Sequence, residues 1–286
     1  MSAPARPAGS YDPAHTTGGG LGGELARLEA QAGLSFPEEL RVLRQLGLPE
    51  RGVLLELGAG PGAVTRRLRA ELPALDVVAL DIDETLLGHN TARGAARVVG
   101  DAGRLPLRDA CVDAVLLRYV LQHLPEPGAA LAEVARVLKP GGRVITIEVD
   151  NGCWGLTEPV YPELGPIHAA LAAAQRGAGG DRTVGRRMTR MLRAAGFDEV
   201  ALRLFATSSD DRPVADFAPH LGPQRLEPLV ADGRLPLAAL ALAADRWRRF
   251  QEDPEAWVML VGFVATGTAA GAGGSGPEQD ARPKAP

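Results

Sequence analysis

The chain has 286 residues, 45% of them hydrophobic, 23% charged and 4% aromatic, with a formal net charge of −4. That length allows one or two domains with a real core, and the acidic balance without a basic stripe argues against nucleic acid as a partner. Two cysteines, Cys111 and Cys153, give neither a disulfide framework nor zinc-site spacing, and no apolar run approaches a membrane span. The expectation is a soluble, cytoplasmic protein with no membrane segment and no metal.

Residues 1–20 and the tail from Gly267 lack an apolar period and read as disordered. Ordered structure opens with helices. Leu25, Leu28 and Ala32 share one face, and Ser35-Phe36-Pro37-Glu38 reads as a capping box that opens a second helix closed by Gly47. From residue 53, short apolar runs alternate with helical patterns. Strands are expected at Val53–Leu57, Val77–Asp81, Arg97–Gly100, Val112–Arg118 and Arg143–Val149. Apolar strands joined by helices indicate a parallel sheet covered on both faces, the α/β class. Beyond Asp150 the regularity breaks. Helices are expected at Pro166–Gln175, Gly185–Ala195 and Leu235–Phe250, with two closing strands at Val200–Ala206 and Val258–Thr266. The sum is a doubly wound, seven-stranded, mostly parallel sheet with helical insertions. Lysine occurs only at Lys139 and Lys284, so arginine carries almost all positive charge, and arginine pairs read as solvated helix faces.

The strongest chemical signal is Glu56-Leu57-Gly58-Ala59-Gly60-Pro61-Gly62, between a strand and a helix. Glycine there lets a backbone approach a ligand beyond the strand ends. The spacing is not G-x-G-x-x-G, because Ala63 occupies the final glycine position. Glu56 would repel a pyrophosphate but suits an ammonium. Asp81 closes the second strand, where a carboxylate can accept from ribose hydroxyls; Asp101-Ala102 follows the third strand.

These segments, with GDAGRLPLRD, VDAVLLRYVLQHLPEP and ARVLKPGGRVITIE, resemble the class I S-adenosylmethionine-dependent methyltransferases, closely over residues 51–150. The likeness is to the bacterial small-molecule branch that includes ubiquinone/menaquinone-biosynthesis and natural-product enzymes. The resemblance implies a Rossmann-like methyltransferase fold that binds S-adenosyl-L-methionine and methylates an O, N, S or C atom of a small metabolite. It implies that Glu56 holds the methionine ammonium and that Gly58, Ala59, Gly60 and Gly62 line the cofactor. Asp81 would take the ribose, Ile82 the adenine face, Asp101 the adenine amino group, and Ala102 would offer its backbone. Arg118 would lie beneath the methionine end and Tyr11 would fold over the cofactor. A methyltransferase domain would then span 21–266, with 51–150 as cofactor core and insertions 151–190 and 207–257 forming the acceptor pocket.

His123 and Glu148, past the ends of neighbouring strands, are the candidate catalytic groups; a structural Glu148 would instead pair with Arg118. Tyr119, Tyr161 and His168 are further candidates for touching the acceptor, and Trp154, Trp247 and Trp257 read as packing residues. A nucleotide-dependent oxidoreductase would show wider glycine spacing. A binder or cyclase that keeps the cofactor without methylating is the main alternative.

Overall fold

The computed structural model describes Tyr11, residues 19–153 and residues 155–271. The rest of the N-terminal stretch, Trp154 and the tail beyond 271 lie outside the described residues, and with them most of both segments expected to be disordered.

The chain enters through one helix, α1 (Gly20–Gln45), where the sequence pattern predicts two. Pro37 lies inside it, and the expected capping box is absent: the Ser35 hydroxyl donates to Glu39 Oε1 at 2.6 Å within the helix. Proline leaves the carbonyl four residues earlier without its helical donor. Arg212 Nη1 reaches that Gly33 carbonyl at 3.4 Å. An external donor and the packing of Phe36, Leu40 and Leu43 into the core hold the helix together across a residue that usually ends one.

The alternating region follows as β1 (Gly52–Leu57), α2 (Ala63–Glu71), β2 (Leu75–Asp81), α3 (Glu84–Gly88), β3 (Ala96–Val99), β4 (Val112–Arg118), α4 (Pro127–Val137) and β5 (Leu138–Glu148). Asp83 caps α3 by accepting from the Leu86 amide at 3.0 Å. The five strands pair in parallel in the order β3-β2-β1-β4-β5. Successive residues feed opposite layers: Leu54, Ala114 and Ile145 pack towards α1 and α2, while Leu55, Val115 and Val144 pack towards α4 and a later helix. Strand order reverses between β1 and β4, so the crevice for a ligand opens beyond the carboxyl ends of those strands.

The second half supplies β6 (Leu156–Glu158), α5 (Leu164–Gly177), α6 (Met188–Ala194), β7 (Phe197–Ser208), α7 (Ala218–Leu221), α8 (Glu227–Ala231), α9 (Leu237–Glu252) and β8 (Trp257–Ala269). β8 runs antiparallel to both β5 and β7, and β6 pairs with its first residues, making eight strands among the described residues where seven are expected. β6 is only three residues long, too short to carry an alternation that sequence reading can detect. β8 continues to Ala269, inside the segment that composition assigns to the tail. Met188 and Leu192 of α6 close the second layer. The insertions build a third apolar cluster around Phe217, Leu221, Trp247 and Phe250. Leu229 of this cluster, with Leu171 and Ala174 packed against it, reaches the crevice. No helix among the described residues is long and apolar enough to cross a membrane.

Candidate active site

Beyond the ends of β1, β2 and β4 lies a cavity of about 840 Å³, bounded by the sheet on one side and by α1, α5 and α8 on the others. Its size is near the upper end of the roughly 300–1,000 Å³ typical of small-ligand pockets.

The turn after β1 forms the floor. Gly58 has φ +72°, and a Cβ there would come within 2.4 Å of Val120 Cγ2, so only glycine lets this turn pass the loop after β4. The Gly58 and Ala59 amides donate to the Leu80 carbonyl at 2.8 and 3.0 Å, tying the turn to β2. Gly62, at φ +76°, is the residue before α2; a Cβ there would overlap the Asn90 side chain.

Each acid at the strand ends has a distinct setting. Glu56 is 3% exposed, its Oε2 accepts from the Thr65 hydroxyl at 2.6 Å, and burial pushes its pKa up to about 7 against the help of Thr65 and Arg118. A buried carboxyl balanced near neutrality would be ionised outright by a neighbouring cation. Asp81 is preorganised by the backbone, with Oδ2 accepting from Gly60 at 2.7 Å and Oδ1 from Asp83 at 2.8 Å. Burial raises its pKa in spite of those donors. Beside it, Ile82 leaves 46% of its surface open on the cavity wall, an apolar face suited to a flat ring. Asp101 also lines the cavity and accepts from the Gly103 amide at 2.8 Å.

Tyr11 also lines the cavity. Its hydroxyl donates to Glu24 Oε1 at 2.6 Å, and its ring lies 5.3 Å from that of His123. His123 sits in a 3-10 turn, Leu121–His123, and lines the cavity. Burial, then the charges of Arg182, Arg27 and Arg225, push its pKa down to about 3. Tyr119 also reaches the wall, with φ +57°, a conformation rare for a bulky residue, and with the Arg118 guanidinium 4.5 Å from its ring centre.

Thus Tyr11, Glu56, Gly58, Ala59, Gly60, Asp81, Ile82, Asp101, Arg118 and His123 of the expected set share one cavity. Others do not line it. Gly62 acts one layer back through Asn90, and Ala102 packs on the second core layer. Glu148 is a correction: it is fully buried under the loop after β4, accepts from the Gln122 amide at 3.3 Å and does not face the cavity. Burial raises its pKa to about 8. Its expected pairing with Arg118 is absent as well, because Arg118 binds Glu39 through Nε and Nη2, both at 2.8 Å. Tyr161 lies in the insertion core against Trp247 and Phe250, its hydroxyl donating to the Ala243 carbonyl at 3.0 Å. His168 is buried outside the cavity lining, and the Trp257 indole donates to Asp210 at 2.9 Å. Among the described residues no group of three or more His, Cys, Asp or Glu is placed to hold a metal ion.

Sequence reading missed the basic wall. Arg27, Arg182 and Arg225 all reach the cavity. None sits in a recognisable motif, and the arginine-rich composition makes single arginines uninformative.

Residues 55–146 match the family model described as a methyltransferase domain. Over this stretch the chain is similar to a methyltransferase domain. Over 200 residues it is 34% identical to an uncharacterised 37.1 kDa protein of a Streptomyces fradiae transposon, a match covering 68% of this chain and 55% of the relative. It is 36% identical over 118 residues to the demethylmenaquinone methyltransferase of Mycolicibacterium paratuberculosis, covering 41% and 50% of the two chains. The chain thus spans about half the length of the curated relatives it matches. Among solved structures, an S-adenosylmethionine-dependent methyltransferase of Thermotoga maritima superposes with a TM-score of 0.53 at 19% identity, covering 87% of this chain and 95% of the other. That likeness is one of fold.

Proposed function

We propose that the protein is an S-adenosylmethionine-dependent methyltransferase acting on a small-molecule acceptor. The observation that carries this reading is the convergence of the glycine turn, Glu56, Asp81, Ile82 and Asp101 on one wall of a single cavity at the switch point of the sheet. Their chemistry fits the cofactor group by group. The near-neutral buried Glu56 suits the methionine ammonium, the preorganised Asp81 the ribose hydroxyls, the open face of Ile82 the adenine ring and Asp101 its amino group. When bound, the cofactor supplies a methyl group already activated on a sulfonium. The chain's own tasks are therefore to align the acceptor and exclude water. Tyr11 and the insertion wall serve the second task. His123 is placed to orient the acceptor at the end of β4.

The test has two parts. Calorimetry should detect S-adenosylhomocysteine binding to the wild-type protein, and failure to bind would remove the reading. Methyl-labelled S-adenosylmethionine offered with a panel of small acceptors should then yield a labelled product. Tight cofactor binding with no transfer to any acceptor would favour the non-methylating alternative, a binder or cyclase of the same fold.

A further inference from the structure

Five arginines reach the cavity wall: Arg27, Arg118, Arg182, Arg225 and Arg234. Three of them meet a carboxylate. Arg27 grips Glu24 through Nε and Nη2 at 2.8 and 2.6 Å, Arg118 grips Glu39, and Arg234 at the rim meets Asp232 at 2.9 Å. The other two are held differently. Arg182, only 8% exposed, donates to the amide oxygens of Asn151 and Gln175, each at 3.1 Å. Arg225 donates to the Pro219 carbonyl at 3.4 Å. Among the described residues neither has a carboxylate at ion-pair distance.

The nearest acids do not supply the missing charge. Glu24 is already shared between Arg27 and Tyr11, and Glu148 is kept largely protonated at neutral pH by burial. Burial and the charge of Arg27 push the Arg182 pKa down to about 10, and burial with Arg182 and Arg27 takes Arg225 well below its ordinary value. A buried and a half-buried cation lining one cavity, with no carboxylate at ion-pair distance among the described residues, favour an anionic ligand. Guanidinium forks match carboxylate and phosphate oxygens in geometry and charge. Leu171 and Ala174 of α5 and Leu229 of α8 line the same cavity with apolar groups.

We propose that Arg182 and Arg225 form the recognition site for a carboxylate or phosphate carried by the methyl acceptor on an apolar body. Assigning the anion to an acceptor rests on the methyltransferase reading above. Both arginines come from the insertions, whereas Glu56, Asp81 and Asp101 follow strands of the sheet, so cofactor and acceptor anion would be held by different segments lining one cavity.

Calorimetry with benzoate, phenyl phosphate and benzamide, with and without S-adenosylhomocysteine, tests this. At least one of the two anions should bind one-to-one in the millimolar range or tighter, and neutral benzamide at least tenfold more weakly. Arg182→Gln and Arg225→Met should each weaken the anion at least tenfold while leaving S-adenosylhomocysteine affinity within twofold. Because it removes an uncompensated charge, Arg225→Met should melt at or above the wild-type temperature, and the bound anion should raise melting only where both arginines are present. Benzamide binding as well as benzoate would overturn the proposal, as would anion affinities unchanged in both variants. So would a melting point lowered by many degrees in Arg225→Met, which would make the arginine part of the scaffold. A parallel loss of S-adenosylhomocysteine would assign the pair to the cofactor's own carboxylate and overturn it too. If the wild type failed to bind S-adenosylhomocysteine, only the methyltransferase reading would fall, since the contrast between benzoate and benzamide is read without it.

Discussion

On the sheet side of the cavity, Asp81 accepts from two backbone amides and Glu56 from a hydroxyl; on the insertion side, Arg182 and Arg225 lean on amide and peptide oxygens alone. The first wall is held by hydrogen bonds within the fold itself. Its acids are fixed by turns that close at the ends of buried strands. The second wall carries charge that its own scaffold leaves uncompensated. The difference teaches which half of the site is generic and which is selective: strand ends are positioned by the fold itself, whereas the two arginines stand on segments inserted into it.

The sharpest way to break the first wall is at Gly58. An alanine there must take φ near +72° and push into Val120. The left-handed backbone costs about 1–2 kcal/mol and overpacking about 1–3 kcal/mol. Gly58→Ala should lose about 2–5 kcal/mol of stability and most cofactor affinity, read by urea unfolding and calorimetry. Unchanged stability would show that the turn is not constrained as the contact distances imply.

Glu148 tests how far burial between the walls is tolerated. Its pKa, about 8 in the folded protein, lies above the ordinary glutamate value. The proton-bound folded state is therefore favoured: the contribution is fully present below pH 4.5 and is lost as pH rises through 8. Wild-type stability should fall by up to about 4 kcal/mol between pH 5 and pH 9 from this group. Glu148→Gln keeps an acceptor for the Gln122 amide and cannot ionise, so it should flatten much of that slope, Glu56 supplying the remainder in the same direction. A variant with the wild-type slope would place the source elsewhere.

Asp81 compares binding with scaffolding. Asp81→Asn removes a charge from the proposed ribose contact and weakens the hold on the Gly60 and Asp83 amides. Cofactor affinity should drop by about 1.5–3 kcal/mol, the scale of charge-assisted hydrogen bonds. The amide oxygen still accepts one of the two backbone bonds, so melting should fall by less than binding does. Equal affinity for wild type and variant would rule the residue out of the cofactor site.

The same contrast explains what was legible in the sequence. Val112–Arg118 and the glycine turn are readable because a buried parallel strand must be continuously apolar and a tight turn must use glycine. Asp81 and Asp101 follow from their place at strand ends. The continuity of α1 through Pro37 was not readable, since it depends on Arg212 from 175 residues downstream filling the role of the missing amide. Glu148 was misread because position at a strand end does not say whether a loop covers the side chain. Arg182 and Arg225 carried no signal at all: their meaning lies in the absence of a carboxylate partner among the described residues, which only packing reveals.

The smallest effect is expected at His123, and it bears on both walls. A base whose conjugate acid has a pKa near 3 gives little advantage in removing an acceptor proton at neutral pH. Two causes depress it, burial first and the arginine charges after. An anion between Arg182 and Arg225 would cancel part of the second and none of the first, so the imidazole should rise towards its ordinary value without reaching it. Nitrogen chemical shifts of His123, titrated with and without benzoate, would measure that rise. In turnover, positioning alone then suffices, and His123→Ala should slow single-turnover methylation by less than about tenfold, or roughly 1.4 kcal/mol. A rate loss of about a hundredfold or more, together with the disappearance of an ionisation from the pH profile, would make His123 the base and would require the acceptor to restore its basicity on binding.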